Sequence, residues 1–284
     1  MRFAIIASPR TGSTHLVTML SRQKDVLCNG EVFHPSKIYL RWPKEHSNAQ
    51  DLAELTELRR VDPLAFMNRI FETGHGSAHV GFKIFRGQND EMLENILTDS
   101  SIRKIILYRR NVLANYSSGL VAKLTNTWGS GPGAGDRSET PKVQFKKKHF
   151  LRFHDNYIGF YRDVLDRMRA AHQDSHLIGY EEINNPWLLR SLVDYIGADS
   201  AAVKIAKRQP KRKPSNIVDR FSNKEDVEAF LHENQLTHWT YEGEFKFELL
   251  DSEPSSAKRP NKARLRKKQR AATNESELSD GPGS

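Results

Sequence analysis

The stretch FAIIASPRTGSTHLVTML, residues 3 to 20, most strongly constrains how this chain folds. Its first part, in the run RFAIIAS, has the β-branched and aromatic content of a buried strand. Its second part places Leu16, Met19 and Leu20 on one face of a helix. A turn of Pro, Gly and small hydroxyl residues joins the two parts. This stretch therefore predicts the strand, turn and helix that open an α/β unit.

Three further apolar runs, HVGFKIF, IRKIILYRR and SHLIGYEEI, also have the length of buried strands and are followed by helix-compatible segments. Strands that alternate with helices predict right-handed crossovers and a mostly parallel central sheet flanked by helices. We expect a single P-loop-like α/β domain over residues 1–250. Within it, residues 125–144 are rich in Gly, Pro and Ser and predict a flexible loop, either a lid or a disordered insertion.

Residues 251–284 are polar and basic, which predicts a disordered tail, with contact to nucleic acid or an acidic surface as the alternative. The whole chain has 44 basic and 35 acidic residues and a net charge of +9, which favours an anionic ligand. Its single cysteine, Cys28, excludes an internal disulfide and a four-cysteine metal site, and fits a reducing, cytoplasmic location. No apolar run approaches the length of a membrane span, and we expect neither a signal peptide nor a transmembrane segment.

The turn after the first strand has the composition of an anion site. Gly12 allows the tight turn, and the amides of Gly12, Ser13 and Thr14 are expected to point into it at the positive end of a helix. Arg10 adds a full charge, and Thr11, Ser13 and Thr14 add hydroxyl donors. The alternative is an ordinary capped connection between strand and helix.

Two familiar nucleotide sites do not fit this turn. A Walker A loop needs a first glycine and a lysine after the second glycine, and the turn has neither. The G-x-G-x-x-G pattern of dinucleotide sites is absent too. These absences disfavour a magnesium nucleotide or a dinucleotide as the ligand of this turn.

The string from Pro9 to Thr14 resembles the 5′-phosphosulfate loop of sulfotransferases, P-[KR]-[ST]-G-[ST]-[ST]. The resemblance implies 3′-phosphoadenosine 5′-phosphosulfate as cosubstrate and no metal. In that family a strand ends in an arginine, and a serine eight residues later joins it on the donor's 3′-phosphate. Arg110 with Ser118 matches this spacing, and Arg109 with Ser117 fits equally by count. The first pair is preferred because an Arg-Asn dipeptide is the family's more usual turn.

The resemblance also suggests the reacting groups. Cytosolic members that act on phenols and steroids have a histidine two residues after a lysine, and this chain has Phe85 there, although Lys83 is kept in register for the sulfuryl oxygens. The segment CNGEVFHP resembles an acidic segment of bacterial carbohydrate sulfotransferases. By that resemblance Glu31 is the expected catalytic base and His34 the runner-up, and a solvated loop position for Glu31 is the alternative.

A late segment, KRQPKRKPSNIVDRF, resembles the basic loop that closes over the nucleotide in the family. It makes Lys207, Arg208 and Lys211 expected donor contacts. Another segment, LIGYEEINNPWLLRSLVDYIG, resembles a family segment with a structural role.

Together these patterns predict a sulfotransferase whose acceptor is a hydroxyl, of a carbohydrate or glycolipid. Two other functions stay open. A small-molecule P-loop kinase needs a loop lysine and an acidic magnesium ligand. A non-catalytic nucleic-acid-binding protein needs exposed aromatic residues among its basic clusters, and the segment FKKKHF and the tail show little of that, so nucleic acid is not the expected partner.

Overall fold

The structure is a computed structural model of the chain. It describes residues 1–43, 45, 48–128, 141–201, 203 and 216–242. The expectations for the tail, for most of the loop at 125–144 and for Lys207, Arg208 and Lys211 fall outside these ranges and stay predictions.

Five parallel strands form one sheet in the order β2-β3-β1-β4-β5. The strands are β1 (Arg2–Ala7), β2 (Val26–Glu31), β3 (His79–Phe85), β4 (Ile102–Tyr108) and β5 (Ser175–Gly179). The prediction of an α/β domain with a mostly parallel sheet is confirmed. The four apolar runs in the sequence correspond to β1, β3, β4 and β5.

Eight helices accompany the sheet in the described part of the chain. They are α1 (Ser13–Leu20), α2 (Ala49–Val61), α3 (Pro63–Glu72), α4 (Asp90–Thr98), α5 (Val112–Thr125), α6 (Lys147–Ala170), α7 (Pro186–Tyr195) and α8 (Lys224–Glu233). Short 3-10 turns cover Tyr180–Glu182, Val218–Arg220 and Thr237–Thr240. No helix among the described residues is long and apolar enough to cross a membrane.

Hydrophobic side chains pack on both faces of the sheet. Along β1, Ala4 and Ile6 belong to one buried cluster, while Phe3, Ile5 and Ala7 belong to the other. The first cluster includes side chains of α3, α4, α5 and α6, and the second includes side chains of α1 and α7. Helices therefore cover both faces of β1, which explains why this strand is a continuous apolar run without a polar face.

The strand order brings the turns that follow β1, β3 and β4 together at the carboxyl end of the sheet. Ala7, near the end of β1, is in register with Phe85 of β3 and Leu107 of β4. Ligands of open α/β sheets bind at the carboxyl ends of such strands. The segments that follow β1, β3 and β4 are therefore placed to build one site.

The strand β2 is absent from the sequence-based interpretation, which placed Glu31 in a segment after the first helix. Val26, Leu27 and Cys28 are buried in this edge strand, and its pairing with β3 is irregular between Cys28 and Glu31. Asn29 and Gly30 interrupt the apolar run, so the pattern is too short to indicate a strand. In the sequence, this strand was indicated by the three consecutive apolar residues Val26, Leu27 and Cys28.

Candidate active site

The turn between β1 and α1 depends on two residues with left-handed backbone. Arg10 has φ 65° and Gly12 has φ 80°. A Cβ on Gly12 would lie 2.6 Å from Cδ2 of Tyr180 and 2.9 Å from Cδ1 of Ile183. Glycine is therefore required here both for its backbone angle and for the close approach of these two side chains.

The helix α1 begins without a side-chain cap at its first turn. By contrast, Asn89 caps α4 by accepting from the amide of Met92 at 2.9 Å, and Asn111 caps α5 by accepting from the amide of Ala114 at 2.8 Å. The first amides of a helix have no partner within the helix and carry its positive dipole end. The start of α1 therefore has the features of the anion site that the sequence predicts, a helix end without a side-chain cap.

The hydroxyls of the turn have different uses. Thr11 is fully buried and donates to the carbonyl of Ser8 at 2.7 Å, so this hydroxyl serves the turn itself. The hydroxyls of Ser13 and Thr14 lie 3.3 and 3.0 Å from Nζ of Lys83. These two hydroxyls and the ammonium group therefore form one polar cluster at the start of α1.

Lys83 adds from β3 a second cation beside the turn that holds Arg10. Its Nζ also lies 3.1 Å from Oε1 of Glu31, which is paired with Lys83 in the register of β2 and β3. Burial lowers the pKa of Lys83, and the carboxylate of Glu31 opposes that shift. The structure thus brings the expected base, the expected cation and two of the loop hydroxyls together.

Glu31 has a second partner on its other oxygen. Oε2 accepts a hydrogen bond from Nε2 of Gln88 at 2.8 Å. His34, the alternative base, instead accepts from the amide and hydroxyl of Ser36 at its Nδ1, and its ring contacts Tyr39 edge-on. The structure therefore does not bring the His34 ring into the cluster around Lys83.

Arg10 extends from the turn toward α5. Its Nε donates to Oγ of Ser118 at 3.0 Å, and its Nη1 donates to the carbonyl of Trp128 at 2.7 Å. The carbonyl of Arg10 accepts from Nη1 of Arg109 at 3.1 Å. Ser118, expected to act with Arg110, thus contacts the loop arginine in this structure.

Arg110 is bound to two carboxylates behind the site. Its Nη2 lies 3.1 Å from Oε1 of Glu182, and its Nη1 lies 3.6 Å from Oε2 of Glu181. The side chain of Arg110 is 10% exposed and that of Glu181 4%. The predicted pair of Arg110 and Ser118 is therefore not brought together by contacts in this structure.

Arg109 points the other way, toward the turn. Its guanidinium carbon lies 4.3 Å from the centre of the Tyr180 ring, and the side chain also pairs with Glu242. Burial lowers the pKa of Arg109 to about 10. Ser117, its partner by count, instead accepts a hydrogen bond from Nη1 of Arg220 at 3.3 Å.

No family model matches the chain. A crystal structure of a sulfotransferase from Alicyclobacillus acidocaldarius aligns with a TM-score of 0.42 and 15% identity over 82% of this chain and 96% of that one. Nodulation protein H of Rhizobium meliloti (strain 1021) is 29% identical over 129 residues, which are 44% of this chain and 49% of that protein. The chain is similar to sulfotransferases. It spans about half the length of that curated relative.

Two residues of this candidate site were missed at the sequence level. Tyr180 interacts electrostatically with Arg10, Arg109 and Arg220, and the guanidinium group of Arg109 lies over its ring. Arg220 lies beyond the three residues expected from the late basic segment. Both residues belong to segments that the sequence analysis singled out, since Tyr180 begins the Tyr-Glu-Glu string and Arg220 lies near the end of the basic stretch. The sequence pattern does not indicate in which direction these side chains point.

The part of the chain that the structure describes contains no group of three or more His, Cys, Asp or Glu residues arranged to hold a metal ion.

Proposed function

We propose that this protein is a sulfotransferase that moves a sulfuryl group from 3′-phosphoadenosine 5′-phosphosulfate to a hydroxyl of a carbohydrate or glycolipid. The observation that carries the proposal is the position of Lys83, between the hydroxyls at the start of α1 and the carboxylate of Glu31. Transfer from a phosphosulfate to a hydroxyl needs a cation for the charged oxygens and a proton acceptor beside it.

The residues present fit a donor with two separate anionic groups. The uncapped end of α1, the hydroxyls of Ser13 and Thr14, and Lys83 suit the 5′-phosphosulfate. Guanidinium groups gather at a second place, next to Tyr180 and the two serines of α5. Guanidinium groups bind phosphate in a bidentate manner.

We assign the 3′-phosphate to Arg109 in preference to Arg110. Both arginines have carboxylate partners, but Arg110 pairs with two, Glu181 and Glu182, whereas Arg109 pairs with Glu242. Arg109 lies against the turn, where its guanidinium group contacts the carbonyl of Arg10. Arg220 interacts electrostatically with Arg109 and contacts Ser117, which supports a phosphate site that includes Arg109, Arg220 and Ser117.

In this reaction the carboxylate of Glu31 accepts the proton of the acceptor hydroxyl. The donor supplies the sulfur atom, whose bond to the phosphate oxygen breaks as its bond to the acceptor oxygen forms. Lys83 and Arg10 stabilise the negative charge that develops at the 5′ end, together with the amides of α1. Because these groups are fixed by the sheet and the turn, positioning and charge provide most of the acceleration.

Two exposed aromatic side chains near the site support a saccharide acceptor. Tyr39 is 44% exposed, and its backbone pairs with Gly30 and Glu31. Trp128 is 54% exposed, and its carbonyl contacts Arg10. The C–H face of a sugar ring packs well on an aromatic face, because both surfaces are apolar with polar rims.

Thermal unfolding with different ligands tests the proposal. 3′-Phosphoadenosine 5′-phosphate should raise the melting temperature, because a ligand that binds only the folded state stabilises it by mass action. ATP with magnesium should not, and an ATP-dependent shift alone would favour the P-loop kinase. Sulfuryl transfer from labelled donor to a panel of saccharides and glycolipids then identifies the acceptor. No shift at saturating 3′-phosphoadenosine 5′-phosphate would overturn the proposal.

A further inference from the structure

The turn between β3 and α4 carries a side chain that reaches the proposed base. In this turn the backbone amide of Gln88 donates to the carbonyl of Phe85 at 3.2 Å. The amide of Phe85 donates to Oε1 of Gln88 at 3.0 Å. Gln88 is therefore held at both its backbone and its side chain by the last residue of β3.

These contacts determine which way the side-chain amide of Gln88 faces. A backbone N–H only donates, so the group that faces Phe85 is the amide oxygen. The NH₂ group is then directed at Glu31, whose Oε2 it meets at 2.8 Å. The hydrogen bond to Glu31 thus follows from the network and does not depend on a free choice of amide orientation.

Glu31 is consequently held by two donors of different kinds. The ammonium group of Lys83 is shared with the hydroxyls of Ser13 and Thr14, so an anion at the start of α1 competes for it. The amide of Gln88 is not shared in this way, because its oxygen is anchored to the main chain of β3. Gln88 keeps its hold on the carboxylate when Lys83 turns toward an anion.

We propose that Gln88 is a positioning residue, which holds the carboxylate of Glu31 in place for the acceptor hydroxyl while Lys83 serves the donor. This inference rests on the proposed function. A misplaced base lowers the rate of the chemical step without changing how the donor binds. Gln88 should therefore affect turnover and leave donor affinity unchanged.

The test is a double-mutant cycle between Gln88 and Glu31 in the full chain. Gln88→Met keeps the length of the side chain and removes both hydrogen bonds, and kcat should fall about 10- to 100-fold because the base is misplaced. In the Glu31→Gln background the same substitution should change kcat by less than about twofold, because the group through which Gln88 acts is gone. Affinity for 3′-phosphoadenosine 5′-phosphate should stay within about twofold of the unsubstituted protein in each variant.

Two further variants separate positioning from folding. Gln88→Asn keeps an amide that is too short to span both partners, and it should lower kcat as Gln88→Met does. Gln50→Met is the matched control, because Gln50 is exposed on α2 and its side-chain amide donates to Glu54. Binding of 3′-phosphoadenosine 5′-phosphate with unchanged affinity shows that a variant has a folded site.

Three results would overturn the inference: an unchanged kcat in Gln88→Met, an equal loss in both backgrounds, or a loss of donor affinity that accounts for the loss of rate. Any of these in an active sulfotransferase leaves the proposed function standing. An unsubstituted protein that neither binds 3′-phosphoadenosine 5′-phosphate nor transfers sulfuryl groups overturns both.

Discussion

Two turns at the carboxyl end of the sheet differ in how the first amides of their helices are partnered. One joins β1 to α1 and the other joins β4 to α5, and each has arginine close before its helix. The helix after the first turn has no side-chain cap. In the second turn Asn111 caps α5, and Arg110 is neutralised by Glu181 and Glu182.

The difference shows that similar patterns after two strands do not lead to the same contacts. The first turn leaves its helix without a side-chain cap, and Lys83 beside it is shared among Ser13, Thr14 and Glu31. In the second turn, the helix amides and Arg110 have partners within the protein. Arg109 of this turn instead lies against the first turn and Tyr180. We expect the first turn to affect catalysis and the second to divide its effect between stability and donor binding.

Glu31→Gln should have the largest effect, because it removes the proton acceptor beside the first turn. We expect kcat to fall about 10²- to 10⁴-fold, the usual contribution of general acid–base catalysis. Affinity for 3′-phosphoadenosine 5′-phosphate at neutral pH, measured by calorimetry, should hardly change. His34→Ala is the comparison, since the His34 ring lies outside the Lys83 cluster, and it should retain most of the activity. Parallel losses of rate and affinity in Glu31→Gln would mean that Glu31 organises the loop instead.

Arg110→Ala should mainly destabilise the second turn. It leaves the buried carboxylate of Glu181 without its cation, and we expect the free energy of unfolding to fall by about 3 kcal/mol. Chemical denaturation measures this loss. If Arg110→Ala has unchanged stability but no longer binds the donor, the 3′-phosphate is bound by Arg110 with Ser118, as the sequence first suggested.

Arg109→Ala should weaken binding of 3′-phosphoadenosine 5′-phosphate by about 1.5 to 3 kcal/mol, the usual range for a hydrogen bond to a charged group. Isothermal titration of this variant beside Arg110→Ala compares the two registers directly. Equal affinities for Arg109→Ala and the unsubstituted protein would contradict our assignment of the 3′-phosphate.

Asn111→Ala should lower the free energy of unfolding by about 1 kcal/mol through loss of the helix cap. Its side chain also donates to the carbonyl of Trp239 at 2.9 Å, so the loss should not be smaller than that of a simple cap. Donor affinity should stay constant in the same variant. A large drop in affinity would show that the amides of α5 bind the ligand as those of α1 do.

The smallest effect should appear in the pH dependence of donor binding. Burial lowers the pKa of Lys83 below its ordinary value of 10.5, so the ammonium group is present below that lowered pKa and is lost as the pH rises through it. Affinity for 3′-phosphoadenosine 5′-phosphate should therefore decline at a pH below 10.5. Glu31→Gln removes the carboxylate that opposes the shift, and should move the decline to lower pH. An identical profile in both proteins would argue against the ion pair of Lys83 and Glu31.

The sequence by itself determined the α/β class and four of the five strands. The strands β1, β3 and β4 lie inside the sheet and have buried side chains on both faces, so they appear as mostly apolar runs. The edge strand β5 was recognised by its short apolar centre, although Leu177 in it is 40% exposed. The sequence also located the first turn, because Gly12 and the hydroxyl residues around it are contiguous in the chain. The edge strand β2 escaped because Asn29 and Gly30 break its pattern, although Glu31 was singled out by resemblance.

Only the tertiary structure decided which groups act together. Strand order places Lys83 of β3 between Glu31 of β2 and the start of α1, and no spacing along the chain states that order. The spacing between arginine and serine could not distinguish Arg109 from Arg110, because each has a serine of α5 eight residues later. The side chains of neighbouring residues at a strand end point in opposite directions. Arg110 pairs with Glu181 and Glu182, which are distant in the sequence, and Arg109 is the one that lies toward the first turn.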